Sequence, residues 1–156
     1  MKHHASTSVV FAVSLLMWPI VLVHAAKAAD PISGTATVLA GNLLMVNGQQ
    51  FRLRGIRVPD LDQTCEWPEK TIPCGDISRT ALMDLVVASQ VDCEPHDTGQ
   101  PPLPATCYVD GFDVGRNMVH TGWALADGDS PAGYHATEAA AKAAKRGLWK
   151  GSFDLP

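Results

Sequence analysis

The chain has 156 residues, which is enough for one domain with a single core and too short for two. It carries 12 lysine and arginine residues against 16 aspartate and glutamate residues, a formal net charge of −4. Because phosphate backbones attract basic surfaces, this balance argues against strong non-specific binding of nucleic acid, although it is compatible with a local basic patch.

Residues 1–28 have the pattern of a secretory signal peptide. A short basic start precedes an apolar run from Val9 to Val23, and small residues follow. The run is too short for a comfortable membrane span, so an uncleaved anchor is the less favoured alternative. We predict cleavage after Ala28, with Ala25 as the alternative, and a mature domain at residues 29–156. The mature domain would be periplasmic or secreted, without stable insertion in a membrane.

Four cysteines lie in the predicted mature domain, and an even count in an exported chain predicts two disulfides. A zinc site needs close pairs of ligands, and the gaps of eight and thirteen residues within successive pairs do not fit one. Four cysteines permit three connectivities. Chain topology favours Cys65–Cys74, which closes a loop, and Cys93–Cys107, which joins two strands.

The first part of the mature domain reads as a three-stranded meander. After a short polar entry at residues 29–33, the strands are predicted at Thr35–Leu39, Leu43–Val46 and Phe51–Arg54. Asn47-Gly48 is a strong signal for a two-residue hairpin turn between the second and third strands.

A long irregular segment and a helix follow. Three prolines and weak periodicity predict a loop from Gly55 to Gly75, and Asp76 is a candidate N-cap. The helix is recognised by apolar residues on one of its faces. These residues are Ile77, Ala81, Leu82, Leu85 and Val86.

The remaining elements are two strands and two helices. We predict strands at Val91–Glu94 and Ala105–Val109, separated by a proline-rich loop, and a turn at Asp110-Gly111. The helices are predicted at Val114–His120 and Tyr134–Arg146. Five strands interrupted by a helix after the third fit an α+β fold that is mainly β, a five-stranded OB-fold barrel with three helices. Other small α+β folds remain alternatives.

Charged residues concentrate at the end of the third predicted strand. Arg52, Arg54 and Arg57 stand close to Asp60 and Asp62 in the sequence. Guanidinium groups in such a cluster bind phosphate or other anions, whereas the alternative is a strand end joined by surface salt bridges. Both interpretations remain open.

Two further candidates have weaker patterns. Trp67 lies in the cysteine-bounded loop, where it would stack on a base or sugar or, as we prefer, cover the edge of the core. His96 and Asp97 form a sequence pair that is suited to acid–base chemistry, but no second histidine is placed beside them.

The chain resembles the staphylococcal nuclease-like (thermonuclease) family over nearly the whole mature region. The order and spacing of several short segments carry the resemblance. They are Phe51–Ile56, Val58–Asp60, Cys74-Gly75, Val91–Cys93, Val109–Val114, Gly122–Ala124 and Arg146–Trp149. The resemblance implies an OB fold and an ancestral calcium-dependent cleavage of DNA or RNA.

That chemistry requires an acidic pair for the cation, a glutamate for the attacking water and two arginines for the phosphoryl group. By resemblance, Arg52 matches the first arginine and Asp60 matches the glutamate with one methylene fewer. The segment Leu39–Leu43 lacks both carboxylates of the acidic turn, and Arg57 occupies the place of the second acidic ligand. Pro102 stands near the position of the second arginine.

The resemblance together with these replacements predicts a catalytically inactive, monomeric binding module that requires no cofactor. Arg52, Arg54, Arg57 and Trp67 are its candidate ligand-binding residues, for an anionic or extended ligand such as nucleic acid, or for a protein. The alternative is a divergent metal-dependent nuclease, a phosphodiesterase that uses Arg52 and Asp60 and requires calcium or another relocated metal. A purely structural domain is the third reading.

Overall fold

The computed structural model describes residues 30–154, and the predicted signal peptide lies outside them. The strands form one main sheet and two small ones, and three α-helices pack around the main sheet. The strands are β1 (Ile32–Gly34), β2 (Ala36–Ala40), β3 (Leu43–Val46), β4 (Gln49–Leu53), β5 (Ile56–Arg57), β6 (Cys65–Trp67), β7 (Lys70–Ile72), β8 (Val91–Pro95), β9 (Leu103–Val109), β10 (Phe112–Asp113) and β11 (Leu125–Ala126). The helices are α1 (Cys74–Val86), α2 (Val114–Thr121), α3 (Tyr134–Ala143) and a 3₁₀ turn at Gly147–Lys150.

The predicted meander of β2, β3 and β4 is confirmed. Val46 pairs with Gln49, so the hairpin turn has two residues. Asn47 and Gly48 both have positive φ, of 50° and 76°, which the twist of a two-residue hairpin favours. Alternate side chains of β3 and β4 face inward, and Phe51 is fully buried.

The main sheet runs in the order β1-β8-β9-β4-β3-β2, with β10 paired to β9. β8 and β9 are antiparallel, whereas β4 and β9 are parallel and join the meander to the second half of the chain. The prediction of a polar, non-strand entry was wrong, because Ile32 pairs with Cys93 and its side chain packs on the core. The sheet curls and is covered by three helices, so the OB-like α+β fold is confirmed.

The segment from Gly55 to Gly75 is more regular than predicted. It contains β5, which pairs with β11, and the β6–β7 hairpin. Disulfides join Cys65 to Cys74 and Cys93 to Cys107, as the topology favoured. The first of these ties the hairpin to the first residue of α1.

The capping of α1 differs from the prediction. The helix begins at Cys74 with Pro73 at the N-cap position and no capping side chain. Asp76 therefore lies inside the first turn, where its carboxylate binds Arg79 at 2.7 Å and is near the positive end of the helix dipole. The predicted apolar face is correct at Leu82 and Val86, which are buried.

The last two α-helices pack against each other, and α2 also packs against β9. Asp113 caps α2 by accepting a hydrogen bond from the backbone N–H of Arg116 at 3.0 Å, and Gly122 ends the helix in the left-handed region. α3 ends at Ala143, three residues earlier than Arg146. Within residues 30–154, no helix has both the length and the apolar character needed to cross a membrane.

Candidate functional site

A surface depression of about 350 Å³ lies between the β2–β3 turn and the segment that follows β4. It brings together side chains that the sequence singled out separately. The polar and charged residues of its lining are Asn42, Arg52, Arg57 and Asp60, and its apolar lining includes Leu43, Ile56, Val58 and Leu61.

Two close backbone approaches to α1 fix the rims of this depression. A Cβ atom at Gly75 would stand 1.8 Å from the carbonyl oxygen of Asp60, so only glycine lets the helix start pack against that rim. A Cβ atom at Gly41 would stand 2.2 Å from Oγ of Ser78, which is fully buried. The Ser78 hydroxyl donates to the carbonyl oxygen of Trp123 at 2.8 Å and is therefore fixed in place.

Arg52 projects outward from β4 because its neighbours in the strand alternate toward the core. Its Nη1 donates to Oδ1 of Asn42 at 3.4 Å. Asp60 is exposed, and its backbone is held by Gln63, whose Oε1 accepts from the Asp60 N–H at 3.1 Å. The depression thus has an anchored guanidinium on one side and a lone carboxylate on the other.

The other two arginines have carboxylate partners that the sequence did not indicate. Nε of Arg54 lies 3.5 Å from Oδ2 of Asp129, and Nε of Arg57 lies 3.4 Å from Oδ1 of Asp127. Neither Asp60 nor Asp62, their acidic neighbours in the sequence, makes these contacts within residues 30–154.

The segment that carries the two aspartates is docked on the β4–β5 turn. The N–H of Asp127 donates to the carbonyl oxygen of Gly55 at 2.9 Å, and Gly55 has a φ of 74° with Ser130 and Pro131 directly against it. In the sequence, only the Asp-Gly-Asp run at residues 127–129 could have indicated carboxylate partners for these arginines. Its position opposite the arginines depends on the pairing of β5 with β11, which the sequence did not predict.

The donor set around the depression does not match calcium. Calcium takes six to eight oxygen ligands, with carboxylates prominent among them. This lining offers one carboxylate, one amide oxygen already bound to Arg52, and the guanidinium of Arg57. In the described part of the chain, no three His, Cys, Asp or Glu side chains lie close enough together to hold a metal ion.

The proline-rich loop borders the same edge of the barrel. β9 begins at Leu103, which pairs with Phe51, and Pro104 pairs with Arg52. The loop that ends at Pro102 therefore reaches the sheet beside Arg52, and no lysine or arginine stands between Val91 and Gly111.

Trp67 lies outside the lining of the depression. Its ring stacks on Trp123 with 6.1 Å between centroids, and the ammonium groups of Lys70 and Lys150 lie 5.5 and 4.6 Å from its centroid. It packs on a small second core cluster that includes the Cys65–Cys74 disulfide. These contacts correspond to the core-edge role that the sequence analysis preferred for it.

His96 and Asp97 do not form a pair. Nε2 of His96 lies 2.7 Å from Oγ1 of Thr106, whereas Oδ1 of Asp97 accepts from the N–H of Gly99 at 2.7 Å. His96 thus contacts the neighbouring strand β9 and Asp97 its own turn, so their adjacency in sequence does not create an acid–base couple.

Comparison with known proteins agrees with this architecture. The model of the family described as "Staphylococcal nuclease homologue" matches residues 50–151. The chain belongs to the staphylococcal nuclease homologue family. It is also 30% identical over 151 residues to the succinoglycan biosynthesis protein ExoI of Rhizobium meliloti (strain 1021), covering 94% of this chain and 78% of that protein.

The staphylococcal nuclease homologue match begins in β4 and includes both Arg52 and Asp60. It also includes all four cysteines and the Asp127–Asp129 segment. The matched region starts after Asn42, so the turn that lacks the acidic pair precedes it. A fold of this family is associated in general with nucleic-acid binding, and the chemistry of this member depends on the residues present in the depression.

Proposed function

We propose that this protein is a non-catalytic binding module, which holds an anionic, extended ligand on the barrel face that carries Arg52 and Arg54. The observation that supports this most directly is the depression where Arg52 and Arg57 stand with Asp60 as its single carboxylate. Planar guanidinium groups bind phosphate or carboxylate through paired hydrogen bonds. Such a lining favours an anion over a cation.

The shortage of oxygen ligands supports the absence of metal-dependent catalysis. The lining supplies calcium with one carboxylate, Asp60, and the nearby carboxylate of Asp127 is engaged by Arg57 at 3.4 Å. Calcium takes six to eight oxygen ligands, which this lining does not provide. We therefore propose that calcium does not bind here and that no cofactor is required.

The spacing of the arginines supports an extended ligand. Arg52 lies in β4 and Arg54 in the turn that follows it, two residues later, so their backbones are at most about 7 Å apart. Two guanidinium groups in a row suit successive anionic groups of a polymer. Nucleic acid is one such polymer. The name of ExoI, a succinoglycan biosynthesis protein, supplies succinoglycan as a second probe.

A second candidate function is a divergent phosphodiesterase. The observation in its favour is that Asn42, Arg52 and Asp60 line one depression, so part of the geometry needed for phosphoryl chemistry is retained. In this case Arg52 would stabilise charge on the phosphoryl group and Asp60 would orient water.

One experiment separates the two candidates. The purified protein is incubated with labelled single-stranded DNA, RNA and succinoglycan in the presence of calcium, magnesium, manganese or a chelator, and both cleavage and binding are measured. We expect no cleavage in any condition, and salt-sensitive binding that Arg52→Ala and Arg54→Ala weaken. The matched control is Arg79→Gln, which removes a guanidinium from the surface of α1.

The outcomes differ clearly. Chelator-sensitive cleavage that Arg52→Ala abolishes would establish the phosphodiesterase and overturn the binding module. Neither cleavage nor binding would leave a structural domain. Equal losses in Arg52→Ala and Arg79→Gln would show that the effect depends on net charge and not on the barrel face.

We also propose that the protein is exported and acts as a monomer. Two disulfides are typical of proteins that fold outside the reducing cytoplasm, which supports export. Mass determination of the purified protein before and after reduction tests both disulfides and the proposed cleavage after Ala28. A mass that retains residues 1–28 would contradict the cleavage, and light scattering would test the monomer.

A further inference from the structure

A second groove, with a lining separate from that of the first depression, lies between α2 and α3. It has a volume of about 400 Å³, within the range of pockets that hold small molecules. Arg116, Asn117 and His120 face it from α2, and Thr137 faces it from α3. The residues at positions 116 and 120 are one helical turn apart, so both side chains lie on the same side of α2.

Arg116 is held in place but retains its capacity to bind an anion. Its Nε donates to Oγ1 of Thr137 at 3.2 Å, and that hydroxyl donates in turn to the carbonyl oxygen of Gly133 at 3.0 Å. Within residues 30–154, no carboxylate forms an ion pair with its guanidinium, and its two terminal nitrogens make no hydrogen bond. Holding the guanidinium in advance lowers the entropy cost of binding a ligand.

The one carboxylate in the lining is already engaged. Asp113 accepts from the Tyr134 hydroxyl through both oxygens, at 2.7 and 2.8 Å, and its Oδ1 also accepts from the N–H of Arg116. Next to the lining, Nη1 of Arg146 donates to the carbonyl oxygen of His120 at 3.1 Å and lies 3.4 Å from Nδ1 of its ring. The groove thus brings the guanidinium groups of Arg116 and Arg146 near one carboxylate, in a protein whose net charge is −4.

A second depression of about 290 Å³ continues from this groove. Phe112 and Asn117 line both, and the second depression is lined further by the apolar side chains of Leu85, Val109 and Val114 and by Asp110. Phe112 is 70% exposed, the largest value among the exposed large apolar residues of the described chain. An exposed ring next to an amide is suited to stacking and edge recognition of a flat ring.

We propose that the α2–α3 groove binds a small ligand in which an anionic group, phosphate or carboxylate, is attached to a flat ring. Arg116 and His120 hold the anionic group, Phe112 stacks on the ring, and Asn117 hydrogen-bonds to the polar edge of the ring. This site is separate from the barrel face, since the linings of the two depressions share no residue.

The test is a nuclear magnetic resonance titration of the isotope-labelled protein with four probes. AMP carries both the flat ring and the phosphate, adenosine lacks the phosphate, ribose 5-phosphate lacks the flat ring, and inorganic phosphate lacks both the ring and the sugar. We expect AMP to bind at least tenfold more tightly than the other three, with amide shifts confined to residues 111–120 and the neighbouring turn of α3. Benzoate, which carries a carboxylate on a flat ring, tests the carboxylate as the anionic group in place of the phosphate.

Variants separate the two halves of the site. Arg116→Gln should weaken AMP at least tenfold and leave adenosine unchanged, because a charge-assisted contact is lost. Phe112→Ala should weaken AMP and adenosine by the same factor, and should not affect folding because the ring is mostly exposed. Arg79→Gln, a guanidinium removed from α1, is the control and should leave both affinities unchanged.

Several results would overturn the proposal. One is AMP shifts centred on Arg52 and Asp60 instead of on α2. Another is equal affinity for AMP and inorganic phosphate, which would exclude a role for the ring. No shift with any probe would exclude the site. If Arg116→Gln fails to fold, as circular dichroism would show, His120→Gln provides the same test of the anionic half.

Discussion

The barrel face and the α2–α3 groove both present arginines, but these arginines have different partners in the two regions. On the barrel face, Arg54 and Arg57 each have an aspartate from the Asp127–Asp129 segment within 3.5 Å. In the groove, Arg116 contacts a hydroxyl, and the nearby carboxylate of Asp113 is engaged by Tyr134. Two arginines of the barrel face are thus paired with carboxylates, whereas Arg52 on that face and Arg116 in the groove have only neutral partners.

This difference indicates how an acidic protein can hold two anionic ligands selectively. Arg54 and Arg57 bind an anion only when the anion displaces an aspartate, whereas Arg52 has only an amide partner, so the barrel face favours ligands that engage several arginines at once. An uncovered, positioned arginine binds a single anionic group without such competition. The comparison therefore predicts polymers on the barrel face and small molecules in the groove.

The largest effect is expected from a substitution of Gly75, which packs against the rim of the barrel-face depression and not against the groove. A Cβ atom there would overlap the Asp60 carbonyl oxygen at 1.8 Å and force α1 away from the rim of the depression. We expect Gly75→Ala to lower the free energy of unfolding by about 3 kcal/mol, the upper range for overpacking, in urea denaturation. Gly128→Ala is the control, since nothing lies within 4 Å of its Cβ position.

Polymer and AMP binding by the folded fraction of Gly75→Ala show whether the substitution affects one region or both. Polymer binding on the barrel face should be lost. AMP binding in the groove should persist, because the contact between Gly75 and the Asp60 carbonyl oxygen involves neither α2 nor α3. Equal loss of both would show that the two regions are coupled through the core.

A smaller effect is expected at Tyr134, which joins α3 to the start of α2 through its hydrogen bonds to Asp113. Tyr134→Phe removes its hydrogen bonds to Asp113 and should cost about 1–2 kcal/mol of unfolding free energy. AMP binding should weaken, because Asp113 then exposes negative charge to the groove. Unchanged AMP binding would contradict the inference that this carboxylate is kept engaged for the site.

The same residue predicts a pH dependence of stability. Burial, followed by the hydrogen bond to Asp113, raises the pKa of Tyr134 well above its ordinary value of 10.0. A raised folded pKa contributes stability that is fully present below pH 10, and this is lost as the pH increases from there toward the folded value, because the unfolded tyrosine ionises first. Wild-type stability should therefore fall above pH 10 more steeply than that of Tyr134→Phe, and parallel curves would refute this.

The fold could be predicted from the sequence where local signals were strong. Alternation at Phe51–Leu53, the Asn47-Gly48 turn and the Gly122 helix end all have local physical causes, and all three are present. The missed strands are all two or three residues long. For β1, β5 and β11, partners distant in sequence decide whether they form.

The candidate site was predictable only in part, because some of its contacts join residues that are distant in sequence. The grouping of Arg52, Arg57 and Asp60 around one depression follows from their closeness in sequence. The aspartates opposite the arginines come from residues 127–129, some 70 positions later, and reach them through the β5–β11 pairing. The groove requires two helices to pack, so no local pattern around Arg116 could reveal it.

The smallest expected effect tests whether the Asp127–Asp129 segment competes with the ligand. Asp129→Asn removes the partner of Arg54, an exposed ion pair of the kind that contributes about 0.2–1 kcal/mol. We expect a rise of about two- to fivefold in polymer affinity on the barrel face, diminishing as salt screens the charges, while AMP affinity in the groove stays constant. Asp84→Asn on α1 makes the same change in net charge and is the control. If it raises polymer affinity equally, the gain depends on overall charge. If only Asp129→Asn raises polymer affinity, the Asp127–Asp129 segment competes with the polymer for Arg54. The Arg54–Asp129 ion pair then accounts for part of the difference between the two regions.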